Sequence, residues 1–232
     1  MNTNFSIESL GEDALLLRLG NDLDDATNAR VHRLAADLNA RRPPWLLDII
    51  PAYATLALCI DIAALESGDD PLKQARTWIA AQNLESDDRC PSAVNGRSHV
   101  IKVTYGGTDG PDLDAVATHA GLRIADVIAH HCAVEYRVAM LGFLPGFPYL
   151  MGLDEALTTP RHATPRLHVA AGSVGIAGAQ TGIYPRSGPG GWQIIGRTDA
   201  VLFDSARDPP ALLAPGDRVR FVAVDQPRGA TA

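Results

Sequence analysis

The amino-acid sequence predicts an α+β protein with two domains, in which a small α+β domain precedes a β-barrel. The first observation is the order of patterns in residues 1–83, where two pairs of strand-like segments are each followed by a helix-like segment. The second is a polar segment at 84–97, which contains Pro91 and Gly96 and has the composition of a linker. The third is a series of short apolar runs after Glu135, separated by Gly and Pro, which is typical of a barrel.

The N-terminal domain is predicted to have the element order ββαββα. A cap between Asp22 and Asp25 begins the first helix, whose apolar residues keep helical spacing until Arg41 and the prolines that follow it. Pro71 begins the second helix, and the domain ends near residue 83. The four predicted strands are residues 5–9, 14–19, 45–51 and 55–61.

The C-terminal domain is predicted to span residues 98–225, and a tail at 226–232 follows it. It starts with SHVIKVTY, a strand with alternating apolar positions, and continues with short helices at 111–120 and 125–132. The later predicted strands are VGIAG, WQIIGR, AVLFD and DRVRFVAV. Few helices and many short strands indicate that this domain is a closed barrel.

Composition and charge exclude several classes of protein. The formal net charge is −7, which argues against general nucleic-acid binding because such binding requires a basic surface. No apolar run reaches the roughly 18 to 20 residues that a membrane helix needs, so no membrane partner is expected. The N-terminal residues have neither the basic nor the apolar region of a signal peptide, and the three cysteines are widely spaced. We therefore expect a cytoplasmic protein.

Four arginines lie in a part of the chain that has no carboxylate. Between Glu155 and Asp199 there is no Asp or Glu, and the arginines of this span are Arg161, Arg166, Arg186 and Arg197. A positive segment in an acidic protein favours an anionic ligand or an acidic partner surface. The alternative is that these arginines pair with carboxylates elsewhere in the fold, and the sequence leaves both open.

Eight of the 27 residues in AGSVGIAGAQTGIYPRSGPGGWQIIGR, at 171–197, are glycine. Their spacing matches neither the dinucleotide-binding fingerprint nor the P-loop, and the chain has no G-x-S-x-G elbow. Polar and aromatic residues alternate with the glycines, which argues against a linker. The segment is either a wall of a ligand site or a set of tight barrel corners.

Two further motifs have alternative interpretations. His130, His131 and Cys132 are adjacent, so on a helix they point about 100° apart and cannot converge on one metal ion. We expect no metal site, and a helix-end histidine with a local hydrogen bond is the simpler interpretation. The loop GFLPGFPYL, at 142–150, has a Pro-Gly turn between aromatic residues, which suits either a pocket wall or a turn that seals the core.

Several long motifs in one order resemble the kinase-inhibitor and allophanate hydrolase subunit 1 family. They are GFLPGFPYL, the two TPR triplets at 159–161 and 164–166, AGSVGIAGAQTGIYP and PGGWQIIGRT, with YGGTDGPDLDAVA and EYRVAMLGF upstream. The chain departs from the family at Ala170, where proline is usual, and at Met151, where glycine is usual. Neither departure removes a plausible catalytic group.

The resemblance implies a ferredoxin-like N-terminal domain and a cyclophilin-like barrel. It also implies the B component of an ATP-dependent 5-oxoprolinase complex, which opens 5-oxo-L-proline to L-glutamate together with subunits C and A. The ATP then belongs to the complex, and the chain alone is expected to be inactive. Biotin is not expected here because a Met-Lys-Met carrier motif is missing. The alternatives within the family are an inhibitor of a sensor histidine kinase and a subunit of an allophanate hydrolase or urea carboxylase-type carboxyltransferase.

The site residues follow from this resemblance and from the chemistry of amide activation, which needs an anion site and a group that polarises a carbonyl. The anion-binding candidates are Arg161, Arg166, Arg186 and Arg197, of which Arg186 and Arg197 are also assigned to catalysis. His131 lies where the family often has a histidine and is the candidate general base. Exposed backbone N–H groups of the glycines at 172–178 are expected to polarise the carbonyl, and Gly172 and Ser173 are expected to bind the substrate. The residues expected to orient a small anionic amide are Gln180, Thr181, Tyr184 and Ser187, and those expected to wall its pocket are Phe147, Tyr149 and Trp192.

Overall fold

The computed structural model describes residues 5–21, 24–65, 70, 72–82 and 96–224. The chain divides into two compact units, Met1–Asn95 and Gly96–Ala232. The predicted linker lies outside the described residues except for Gly96 and Arg97, and the predicted tail lies outside them entirely, as does Pro71, the predicted start of the second helix. Among the described residues, no helix combines the length and the apolar character needed to cross a membrane.

The first unit contains a four-stranded antiparallel sheet and two helices. The elements are β1 (Ser6–Ser9), β2 (Ala14–Arg18), α1 (Asp25–Ala40), β3 (Leu46–Pro51), β4 (Thr55–Ile60) and α2 (Lys73–Ala81). Their order along the chain is the predicted ββαββα, and the strand order in the sheet is β1-β2-β4-β3. Every neighbouring pair in this sheet is antiparallel.

Local sequence explains the bounds of α1 and the core beneath it. Asp24 caps the helix, because its Oδ1 accepts a hydrogen bond of 2.8 Å from the Thr27 N–H. The helix ends at Ala40, before the two prolines. The alternating residues of the strands and the apolar face of the helices form one core, which includes Leu15, Leu17, Val31, Leu38, Leu56, Leu58, Ala75 and Ile79.

The second unit is built around a closed seven-stranded barrel, as predicted. Its elements are β5 (Ser98–Tyr105), α3 (Leu113–Ala120), α4 (Ile124–Ala133), β6 (Glu135–Leu141), β7 (Pro148–Met151), β8 (Arg166–Val169), β9 (Ser173–Ala177), β10 (Gln180–Ile183), β11 (Gly188–Gly190), β12 (Gln193–Arg197) and β13 (Arg218–Ala223). The barrel order is β10-β7-β6-β13-β5-β12-β9, and β8 pairs with β11 in a separate two-stranded sheet. The β5–β13 pair is parallel.

One predicted strand of the barrel is wrong. AVLFD, at 200–204, is a loop in which Phe203 makes a single bridge to Ala211. Leu202 is buried in the barrel core, and its carbonyl accepts a hydrogen bond of 2.8 Å from the Leu212 N–H. The segment therefore pairs with the loop that follows it and not with a neighbouring strand, a difference that the apolar pattern does not reveal.

The barrel strands bury apolar residues on two faces. Leu150, Val174 and Ile176 belong to the large core inside the barrel. Tyr149 and Ala177, which alternate with them, belong to a second cluster on the outer face of the same strands. All five residues of β9 are buried, because this strand has packed side chains on both sides.

Candidate functional site

Five aromatic rings form a cluster on the outer face of the barrel, here called the aromatic cluster, which consists of Phe143, Phe147, Tyr149, Tyr184 and Trp192. Phe147 lies at its centre, with ring centroids 5.0 Å from Tyr149, 5.2 Å from Tyr184 and 5.3 Å from Trp192. All three pairs are edge-to-face, which is the favoured geometry for aromatic rings. Phe147 is buried, whereas Phe143 is 60% exposed.

Two local features position these rings, a turn before β7 and the glycine at position 182 on β10. The predicted Pro-Gly turn is present, since the Phe147 N–H donates a hydrogen bond of 2.9 Å to the Leu144 carbonyl. On β10, a Cβ at Gly182 would lie 3.0 Å from ring atoms of both Phe147 and Trp192. A glycine at this position therefore lets the two rings pack directly against the strand backbone.

Arg161 lies against the aromatic cluster. Its guanidinium carbon is 5.8 Å from the centroid of the Trp192 ring, within the range of a cation–π contact. The side chain is exposed, and among the described residues it has no carboxylate partner. Of the four arginines of the carboxylate-free segment, this one is in contact with the predicted pocket wall.

The two tyrosines of the cluster are protonated near neutral pH. Burial raises the pKa of the Tyr149 and Tyr184 phenols, and the positive charge of Arg161 opposes this shift at both. Tyr184 is almost fully buried, so its ring is part of the foundation of the cluster, and Tyr149 presents the more accessible ring.

Arg166 forms a structural ion pair, which corrects its assignment to anion binding. Its guanidinium donates two hydrogen bonds to the buried Asp112, of 2.8 Å and 2.5 Å. Asp112 also accepts a hydrogen bond of 2.6 Å from the Ile194 N–H. Burial by itself would raise the pKa of Asp112, but the hydrogen bonds from Arg166, Ile194 and His162 hold this pKa below its usual value. For Arg166 the structure thus shows the alternative, a carboxylate partner elsewhere in the fold.

The remaining two arginines have other environments. Arg197 is at the end of β12, with Nη1 3.8 Å from Asp109 Oδ1, and its side chain is 48% exposed. Arg186 and Ser187 are exposed in the turn that leads from β10 to β11. Within the described ranges no carboxylate pairs with Arg186. Arg186 and Arg197 are therefore accessible to an anion, although Arg197 also lies near a carboxylate, and their role stays a prediction.

His131 lies inside the barrel, which corrects its assignment as an accessible general base. The residue is fully buried, and its ring stacks on Phe221 with centroids 4.6 Å apart. Its Nδ1 is 2.7 Å from the Tyr105 hydroxyl and its Nε2 is 3.0 Å from Thr181 Oγ1. Burial lowers the pKa of His131 to about 3, so the imidazole is neutral at physiological pH. A base in this position has no contact with a ligand on the barrel surface.

Thr181 is likewise buried, which corrects its assignment to substrate orientation. Its hydroxyl donates a hydrogen bond of 3.0 Å to the Gly175 carbonyl and therefore accepts one from the Nε2–H of His131. Nδ1 of His131 then accepts from the Tyr105 hydroxyl. The His131 ring thus makes hydrogen bonds to residues 26 and 50 positions away, and not the local one expected of a helix-end histidine.

The backbone donors of the glycine-rich segment are occupied, which corrects the expectation that they polarise a substrate carbonyl. The Gly172 N–H donates to the Tyr184 carbonyl and the Gly178 N–H donates to the Thr159 carbonyl, each at 2.7 Å. Ser173 is buried on β9, and Gln180 is half-buried at the start of β10. These glycines are therefore barrel corners, and of the two interpretations given above this one applies to them.

Two contributors were absent from the sequence-based site. Gln193 is buried, and its Nε2 donates a hydrogen bond of 2.9 Å to the Pro160 carbonyl, next to Arg161. Phe143 has a backbone φ of 67°, which is unusual for a residue that is not glycine. The position of Phe143 within the motif GFLPGFPYL could have identified it as a site residue. No feature of the sequence indicates the hydrogen bond between Gln193 and Pro160. Among the described residues, no group of three or more His, Cys, Asp or Glu side chains could hold a metal ion.

Comparison with known proteins agrees with the motifs. The model of the family described as carboxyltransferase domain, subdomain C and D, matches residues 5–213. The chain is 38% identical to the 5-oxoprolinase B component of Bacillus subtilis (strain 168) over 97% of this chain and 95% of that protein. It is 45% identical to the 5-oxoprolinase B component of Escherichia coli O157:H7 over 92% of this chain and 93% of that protein.

A solved structure, TTHA0988, superposes with a TM-score of 0.77 at 38% identity, and the match covers 94% of this chain. This chain spans 41% of the length of TTHA0988, so the same unit also occurs within a longer polypeptide. The match of the family model to residues 5–213 and the identity to relatives of similar length confirm the resemblance seen in the motifs. This chain therefore belongs to the family of carboxyltransferase domains, subdomains C and D.

Proposed function

We propose that this chain is the B component of an ATP-dependent 5-oxoprolinase, which opens 5-oxo-L-proline to L-glutamate together with subunits C and A. The observation that carries the proposal is the similarity to two 5-oxoprolinase B components over nearly the whole length of each chain. On this proposal the chain works in a cytoplasmic complex and is inactive alone. The presence of a similar unit within the longer TTHA0988 supports a role as part of a larger assembly.

The site that we assign to this chain is a binding wall. The aromatic cluster offers Phe143 and Tyr149 to the apolar ring of a lactam, and Arg161, Arg186 and Arg197 are accessible to anionic groups. Gln180 and Ser187 are the remaining candidates for polar contacts. The cluster itself contains no carboxylate, thiol or imidazole, and its only ionisable groups are two phenols; we propose that the acid–base groups of the reaction come from partner subunits.

ATP is proposed to bind at the level of the complex. The chain has two lysines, Lys73 and Lys102, and neither follows a glycine-rich loop of the P-loop type. The N–H groups of Gly172 and Gly178 already donate to backbone carbonyls. These residues thus do not fit a phosphate cradle, and no step of the reaction is assigned to ATP in this chain.

The finer description of the fold is part of the same proposal. A ferredoxin-like first domain at 1–83 is supported by the strand order β1-β2-β4-β3 with all neighbours antiparallel. A cyclophilin-like second domain at 98–225 is supported by the closed barrel.

Co-expression with the candidate C and A subunits tests the proposed function. The assembled complex is expected to release glutamate from 5-oxo-L-proline only when ATP is present, and this chain alone is expected to release none. A complex of C and A without this chain is the control and should also be inactive. If the purified three-subunit complex fails to release glutamate, the chain serves another function, such as binding a sensor kinase.

A further inference from the structure

We infer that Arg161 binds the carboxylate of the lactam substrate and that the surface formed by Arg161 and the aromatic cluster selects carboxylated five-membered lactams over neutral ones. This inference rests on the proposed function and names the role of one residue within it. Three features of the structure support it: the charge environment of Arg161, the fixation of its backbone, and the apolar rings beside it.

The charge of Arg161 is available to a ligand, in contrast to that of Arg166. Arg166 donates two hydrogen bonds to the buried Asp112, which neutralises its charge and occupies the end-on fork that would otherwise bind a ligand carboxylate. Arg161 is exposed, and no carboxylate among the described residues pairs with it. Its fork of N–H donors matches a carboxylate in bidentate geometry and stays charged at any relevant pH.

The backbone on both sides of Arg161 is tied to the segment that carries Trp192. The Pro160 carbonyl accepts a hydrogen bond of 2.9 Å from Gln193 Nε2. The His162 N–H donates a hydrogen bond of 2.8 Å to the Gly191 carbonyl. Residues 160, 161 and 162 therefore contact residues 193, 192 and 191 in turn, and the guanidinium lies 5.8 Å from the Trp192 ring centroid. The backbone at Arg161 therefore needs no ordering when the arginine binds an anion, and the Trp192 ring restricts where its guanidinium lies.

The aromatic cluster, which Arg161 contacts through Trp192, suits a small apolar ring. The Tyr149 ring is half-buried, and its centroid is 5.9 Å from that of Trp192. Phe143 is 60% exposed and contacts the cluster through Phe147 at 5.6 Å. A left-handed backbone conformation at Phe143 is unfavourable for a bulky residue, and such positions concentrate at functional sites. A cation beside partly exposed aromatic rings complements a ligand with a carboxylate on a ring of methylene groups.

Kinetics of the assembled complex test the inference with Arg161→Gln and with 5-oxo-L-proline and its neutral carboxamide as substrates. The KM for 5-oxo-L-proline is expected to rise by about 10- to 100-fold, since a hydrogen-bonded charge contact is removed. The KM for the carboxamide is expected to stay within about twofold, so the preference for the acid disappears. Arg161→Lys is expected to fall between wild type and Arg161→Gln, because it keeps the charge and loses the fork.

Arg220→Gln is the matched control. Arg220 is an exposed arginine on β13, and this strand does not contribute to the aromatic cluster. Its substitution should leave both KM values within about twofold. Thermal melting of each variant complex confirms that assembly is intact, and Arg161→Lys provides a second measurement if Arg161→Gln assembles poorly.

Two outcomes separate this inference from the proposed function. An Arg161→Gln complex that keeps the wild-type KM for 5-oxo-L-proline would overturn the inference and leave the proposed function intact. A wild-type complex without activity would reject the proposed function. Calorimetric titration of that complex with 5-oxo-L-proline then tests whether Arg161 binds the carboxylate. If the wild-type complex binds 5-oxo-L-proline and the Arg161→Gln complex does not, the carboxylate site is supported. If the wild-type complex does not bind it, the inference is overturned together with the proposed function.

Discussion

At the residue scale, His131 shows how burial changes the role of a side chain that looks catalytic in the sequence. Its two ring nitrogens contact Tyr105 and Thr181 inside the barrel, and burial lowers its pKa to about 3. A neutral imidazole with both nitrogens in hydrogen bonds stabilises the core as a polar crosslink. Protonation would place an unpaired charge among Tyr136, Phe221 and their neighbours, which is strongly unfavourable.

We predict that His131 makes the stability of the protein depend on pH below neutrality. The folded pKa of about 3 is lower than the unfolded value of 6.5, so the unfolded chain binds the extra proton. The contribution of neutral His131 to the free energy of unfolding is fully present above pH 6.5. It is lost as the pH falls toward 3, by about 1.4 kcal/mol per pH unit. Urea unfolding at pH 7.5, 5.5 and 4.5 measures this slope.

The comparison for this prediction is the variant His131→Gln, which has no group that titrates in that range. The variant should be less stable at every pH, because it loses the stacking on Phe221. Between pH 6.5 and 4.5, the unfolding free energy of the variant should change less steeply with pH than that of the wild type. The difference should be about 1.4 kcal/mol per pH unit, which corresponds to one proton. Equal slopes for the two proteins would show that His131 does not remain neutral in the folded barrel.

At the element scale, the corners that enclose β9 explain two of the eight glycines in the segment from Ala171 to Arg197. Gly172 has a φ of 80°, and a Cβ there would collide with the Thr198 carbonyl oxygen. Gly178 has a φ of 58°, and a Cβ there would meet nothing within 4 Å. Both corners need the left-handed conformation, but only the first also needs the missing side chain.

We predict that Gly172→Ala and Gly178→Ala differ in their effect on stability for this reason. Gly178→Ala should cost about 1 kcal/mol, which is the conformational penalty of alanine in the left-handed region. Gly172→Ala should cost about 3 kcal/mol or more, since the new Cβ also overlaps a carbonyl that the strand cannot move freely. Chemical denaturation of both variants under the same conditions measures the difference. Similar costs would mean that the Thr198 loop moves away easily.

At the scale of the whole molecule, the second unit contains everything that its barrel requires. All seven barrel strands, and all residues of the interior core and the outer cluster, come from residues 98–223. The strand β5 lies between β13 and β12, so the first strand of the unit is also the one that closes the barrel. A closed barrel has no free edge, which lowers its tendency to associate.

We predict that a fragment of residues 96–232 folds by itself. Its circular dichroism spectrum should be that of a β protein, and it should unfold in one cooperative transition. A fragment of residues 106–232 is the control, since it lacks β5 and therefore leaves two strand edges unpaired. The shorter fragment should fail to fold or should aggregate. An unfolded 96–232 fragment would contradict the independence of this unit.

The sequence by itself determined the order of the elements in the first unit, the closed barrel of the second unit and the family, and it singled out Phe147, Tyr149 and Trp192, which the structure brings together in one cluster. Hydrophobic periodicity, turn residues and ordered motifs are local in the chain, and for this reason they can be recognised without coordinates. Tertiary structure alone decided which polar groups are accessible. Arg166 and Asp112 are 54 residues apart, and His131 and Thr181 are 50 apart. Whether an arginine is paired or a histidine is buried depends on such distant contacts, which leave no pattern in the sequence around either residue.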